Sequence, residues 1–149
     1  MRSKRLGAGS RLLAVLVVLG ALAWQYYERG GVALPLSPAG DAAAVQAAFT
    51  AHRSGVWLET GGRVSRLLAD DNDGSRHQRF ILTVGDGHTV MVAHNIDLAE
   101  RIPVRTGARL SLRGRYEWNE RGGVIHWTHH DPQGREQGGW INWNGKRYE

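Results

Sequence analysis

Cysteine is absent from this chain of 149 residues, so disulfides, thiolate metal sites and cysteine nucleophiles are all excluded. A folded domain here must be held by its core. Proline is scarce, at four residues, and methionine and phenylalanine occur twice each. No P-loop, serine elbow or helical zinc-hydrolase motif occurs, which removes the best-marked routes to phosphoryl and acyl transfer. No internal repeat is present. What is plentiful is glycine, with 20 residues, and tryptophan, with six, among many short apolar runs. Helix interiors penalise glycine, whereas aromatic and β-branched residues suit a pleated sheet, so the composition predicts a β-rich domain.

The first 27 residues stand apart. Arg2, Lys4, Arg5 and Arg11 precede the uncharged run LLAVLVVLGALAW, Leu12 to Trp24, and Tyr26 and Tyr27 come after it. Basic residues ahead of an apolar segment stay on the cytoplasmic side, so the remainder of the chain is expected beyond the membrane. Ala21 to Ala23 fits a signal-peptidase site, and cleavage near Ala23 would leave a periplasmic or secreted protein. The aromatic belt at Trp24, Tyr26 and Tyr27 favours an uncleaved single-pass anchor in a bacterial inner membrane, contacting the membrane through residues 12–27. The domain plan is therefore an anchor over residues 1–27, a glycine- and proline-containing linker over 28–40, and an exported domain over 41–149.

Removing the four leading cations from the net charge of +5 leaves +1. The basicity is mostly a topology signal, and strong nucleic-acid binding is not supported by the charge of the domain.

Asp41 is placed to cap a short helix in which Val45, Ala48, Phe49 and His52 share one face. Strands come next. VWLETGGRVSRLL is a long extended run with two central glycines that mark a bulge or coil. HQRFILTV and HTVMVAH flank the turn GDG and form a hairpin. NIDLAERIP predicts one or two helical turns. ARLSLRGRYEW sets Leu110, Leu112, Gly114 and Tyr116 on one face and Arg109, Ser111, Arg113 and Arg115 on the other. VIHWTHH reads as a fifth strand, and Asn144-Gly145 as the turn of a terminal hairpin outside the core. The list matches a small five-stranded Greek-key barrel of the oligonucleotide/oligosaccharide-binding (OB) type, with an open β-sandwich as the alternative.

Three polar segments are candidate sites. The loop DDNDGSRHQ lacks calcium-loop spacing and reads first as a polar turn; as the rim of a site it would present Asp71, Asp73 and His77. His94 ends a strand on the face of Val90 and Val92, with Asn95 opening the next turn. In VIHWTHHDP, regular alternation puts Val124, His126 and Thr128 on one face and Ile125, Trp127 and His129 on the other, which weakens a His-x-x-His metal pair. A divalent metal such as zinc would need ligands drawn from several segments, His94, His126, His130 and Asp131 being the best placed. Glu117 or Glu120 is a candidate general base, and Asp131 could orient His129 or His130.

The blocks DDNDGSRHQRF, AHNIDLA, YEWNERGGVIHWTHHDP, GGWI and NGKRY resemble an uncharacterised bacterial family, domain of unknown function 3465, over Phe49 to Tyr148. The resemblance implies a small exported or membrane-tethered bacterial protein and no particular activity.

Two readings of function stand side by side. One is a binding module that holds an extended ligand with Trp118, Trp127, Trp140, Trp143 and the histidines; its ligand-contacting residues would include Asp71, Asp73, His77, His94, Asn95, His126, His129 and His130. The other is a metal-dependent hydrolase or phosphodiesterase in which His77, His94, His126, His130 and Asp131 do the chemistry. An assembly role at the envelope, with the terminal hairpin as its docking edge, is a third.

Overall fold

The computed structural model describes residues 38–149; the anchor, the cleavage site and most of the linker lie outside the described residues. Among the described residues no helix is long and apolar enough to cross a membrane. Helix α1 runs Pro38–Thr50, so it starts inside the expected linker rather than at an Asp41 cap. Proline suits a first helical position because its missing N–H has no intrahelical partner there, and Asp41 falls in the first turn. Of the expected stripe, Val45 and Ala48 are buried together with Ala42, Phe49 packs partly buried against the core, and His52 is exposed. The helix ends with His52 at φ 50°. The bonds His52 N–H to Phe49 O and Arg53 N–H to Ala48 O close it in a Schellman arrangement.

Seven strands come after the helix: β1 Val56–Leu67, β2 His77–Val84, β3 His88–Asn95, β4 Arg109–Glu117, β5 Val124–His126, β6 Trp140–Trp143 and β7 Lys146–Tyr148. Their order is β1-β2-β3-β5-β4-β6-β7, and a further β1–β4 pairing closes the first five into a barrel. The β3–β5 pairing is parallel and every other one antiparallel. This is the expected Greek-key barrel, closed rather than an open sandwich.

Closure depends on β1 serving two partners. It pairs with β4 from Val56 to Arg63 and with β2 from Gly62 to Leu67, with a bulge between Val64 and Arg66. At Gly62 both pairings overlap, and a Cβ there would lie 2.3 Å from Thr83 O. Only glycine lets the strands approach that closely. Alternation puts Leu58, Val64, Phe80, Leu82, Val90 and Leu112 inside the barrel.

NIDLAERIP forms one turn, the shorter of the expected lengths, closed by Ala99 N–H to Asn95 O at 3.1 Å. Two expectations need correction. The fifth strand stops at His126, because Trp127 has φ 54° and turns the chain out of the sheet. Alternation therefore fails beyond His126, and Thr128 and His129, assigned to opposite faces, are both buried. The terminal hairpin forms as expected around Asn144 and Gly145, with φ 49° and 77°. It pairs through β6 with β4 and adds Ile141 and Tyr148 to the core.

Candidate functional site

Four of the histidines lie in one region of the barrel, whereas His52 and His88 pack near Phe49 and Trp118. His77 lies within electrostatic reach of His94, His126 and His129. They do not converge on a common point: among the described residues no three His, Asp or Glu side chains are grouped to hold a metal ion.

His94 is fully buried beside Val92. Its Nε2 is 3.1 Å from Glu100 O and its Nδ1 2.8 Å from Thr128 Oγ1. A carbonyl oxygen only accepts, so Nε2 carries the proton and Nδ1 accepts from the threonine hydroxyl. Both ring nitrogens are thus engaged. Burial pushes the His94 pKa down to about 4, against the weaker opposing effect of the Glu100 carbonyl. The side chain is neutral at pH 7 and ties β3 to the loop that leaves β5.

The neighbouring candidates are engaged in the same manner. Asn95 Oδ1 accepts the Asp97 amide, and Asp71 Oδ1 accepts the Asp73 amide, the self-capping of polar turns. His77 Nδ1–H donates to Ser75 O at 2.7 Å, and its main chain bridges to Asp71 in both directions. Asp131 accepts from three amides, those of Gln133, Arg135 and Glu136, and these hold its carboxyl below the usual range. It organises the loop after β5 and orients neither His129 nor His130. His129 Nδ1–H donates to His130 O, and its ring lies 5.5 Å from that of Trp127 in a stacked arrangement. Trp118 belongs to a different region, packed on α1 against Phe49 and His52.

His126, Trp127 and the exposed His130 face outward. His126 Nε2 is 3.4 Å from Glu117 Oε1, whose other oxygen accepts the Gly55 amide. Burial lowers the His126 pKa despite that carboxylate. Trp127, Pro132, Arg135 and the 41% exposed Leu98 line a cleft of about 480 Å³.

The feature that sequence reasoning missed is the outer wall of β1, β4, β6 and β7. Directly paired residues share a face, so the register gives its layout. Gly61, Ser111, Asn142 and Arg147 form one row across four strands. The row is low because its first two members are glycine and serine. On one side stands the row Glu59–Arg113–Trp140, and on the other the pair Arg63–Arg109. The guanidinium of Arg113 lies 5.9 Å from the Trp57 ring centroid, and that of Arg147 lies 4.9 Å from the Trp140 centroid. The result is a shallow trough with a polar floor, edged by cations and cation-capped indoles. Its signal was present in the outward set Arg109, Ser111, Arg113 and Arg115, but the opposing strands could not be aligned without the register.

In comparison with known families, one described as protein of unknown function (DUF3465) matches residues 32–149. No curated protein matches the chain.

Proposed function

Because the chain belongs to the DUF3465 family, which carries no assigned activity, we propose its function from its own residues: a membrane-tethered periplasmic OB-type module that binds an extended ligand. The candidate ligands are an oligonucleotide, a glycan or an envelope partner. The observation that carries this reading is the trough across β1, β4, β6 and β7. OB barrels usually take oligomeric ligands on the face of strands 2 and 3 and adjoining loops; here the wall of β1, β4, β6 and β7 is the one that offers a polar floor beside aromatic and cationic side chains. The tether rests on Arg2, Lys4, Arg5 and Arg11 ahead of the apolar residues 12–24.

The test uses the full-length protein in a non-ionic detergent, with tryptophan fluorescence read against single-stranded oligonucleotides and oligosaccharides. A saturable change that Trp140→Ala removes supports the reading; no response to either class sinks it. Resistance to alkaline extraction, with residues 41–149 digestible only after the outer membrane is opened, checks the tether. Recovery of the protein in the soluble periplasmic fraction supports cleavage near Ala23 instead.

A metal-dependent hydrolase draws on His126 beside Glu117, an imidazole–carboxylate pair in this region. It finds less support than the binding reading, since His94 and Asp131 direct their lone pairs to internal partners. Stoichiometric zinc or manganese that is lost on His126→Ala would reverse that ranking.

A further inference from the structure

The seven strands carry eight Lys and Arg side chains against two carboxylates, Glu59 and Glu117. A domain charge near neutrality thus conceals a basic barrel wall. Five of the eight are ion-paired: Arg79 with Asp71, Arg113 with Glu59, Arg115 with Glu117, Lys146 with Glu100 and Arg147 with Glu149. The other three, Arg63, Arg66 and Arg109, have no carboxylate partner among the described residues, and they are neighbours. Arg63 and Arg109 stand directly opposite each other on β1 and β4, and Arg66 follows one bulge later. Arg105, also exposed and without a carboxylate partner among the described residues, sits in the turn that leads into β4.

Like charges directly opposite on paired strands destabilise the pairing. Nothing in the local structure needs them for folding: Arg63 makes one bond, Nη1 to Gly107 O at 3.2 Å, which orients its guanidinium over that turn. Guanidinium forks match phosphate oxygens bidentately, so a phosphate between Arg63 and Arg109 would relieve the repulsion it meets.

We infer that the trough binds a single-stranded polynucleotide, with backbone phosphate held by Arg63 and Arg109 and bases laid on the Arg113–Trp57 and Arg147–Trp140 platforms. The inference rests on the binding reading above and names its ligand. The outward faces of those platforms decide the class. Bases stack on guanidinium planes and on indoles alike, whereas the apolar face of a sugar needs a bare aromatic ring. A bilayer does not fit either: the floor is recessed, and the large exposed apolar side chains among the described residues are only Leu67 and Leu98.

The experiment is fluorescence polarisation of a labelled oligothymidylate against full-length protein in non-ionic detergent over a range of salt. The expected result is salt-dependent binding that Arg63→Gln with Arg109→Gln weakens at least tenfold. Removing two phosphate contacts also flattens the slope of log affinity against log salt by about 1.4, at roughly 0.7 per contact for a single strand. The same double variant should melt no lower than the parent, which separates lost binding from lost folding. Arg53→Gln, a distant exposed cation, should change neither. Unaltered binding by the double variant overturns the inference, as does tighter binding of a sulfated glycan than of the oligonucleotide. If neutral oligosaccharides alone bind, the inference fails and the binding module stands; if no ligand binds, both fail.

Discussion

The His94 network and the Arg63–Arg109 pair are both polar clusters on one small barrel, and they treat their hydrogen-bonding capacity in opposite ways. Around His94 the donors and acceptors meet each other: the imidazole joins Thr128 and Glu100, and nearby Gln78 exchanges two bonds with the main chain of Ile102. A polar group buried without a partner costs about 1–3 kcal/mol, and around His94 burial and mutual satisfaction go together. On the outer wall Arg63 and Arg109 stand opposite each other across β1 and β4 with no carboxylate partner among the described residues. Water tolerates what the interior does not. A concentration of histidine in a sequence can therefore be the interior solution, while the proposed recognition rests on cations that the fold alone does not require.

The sharpest way to break this comparison is to delete the buried imidazole. His94→Ala leaves the Thr128 hydroxyl and Glu100 carbonyl without a partner and opens a cavity, so a loss of about 3 kcal/mol or more is expected in urea unfolding. A change below about 1 kcal/mol would mean that the network is not structural. A comparable effect should come from pH. The His94 pKa is about 4 when folded, against 6.5 for the free side chain. Above pH 6.5 neither state takes the proton, and between 6.5 and 4 the unfolded chain alone does. Stability should thus fall with pH through that window, by up to about 3 kcal/mol, and the burial-lowered pKa values of His126 and His129 act in the same direction. An imidazole resonance of His94 that titrates near 6.5 would refute this.

Smaller effects belong to the outer wall. Trp140→Ala should weaken oligonucleotide binding by about 1–3 kcal/mol, the usual worth of one stacked base, and leave the melting temperature nearly unchanged. Smallest of all, Arg63→Gln should raise stability by about half a kcal/mol by relieving a cross-strand repulsion. A clear loss of stability instead would show that this arginine is held for the fold.

Much of the barrel was readable from local signals. GDG and Asn144-Gly145 marked the two hairpins, and paired glycines marked the coil of β1. The self-capped turn at Asp71 was also foreseeable, since Asp and Asn bond their own backbone in such loops. Two things were not readable. A bulky residue such as Trp127 has no sequence preference for positive φ, so its turn out of the sheet is imposed by tertiary packing, and the face assignment beyond it failed with the alternation. The trough needed the strand register, because Arg63 and Arg109 are far apart in the chain and a net charge averages over the wall and the acidic loops alike.

His126 pairs with Arg115 on β4 and Trp140 with Arg113, so β5 and β6 lie end to end along the same edge, in the register of one strand interrupted by residues 128–139. The two halves abut so closely at Gly139 that a Cβ there would overlap Trp127 O. β4 is consequently zipped along that edge by two separate fasteners. Amide exchange at the β6 half reports on fraying of the C-terminal hairpin, and at the β5 half on opening of the barrel itself. If the hairpin peels away, it takes Asn142, Arg147 and Trp140 out of the trough, so the β6–β7 pair both covers that edge of β4 and completes the outer wall.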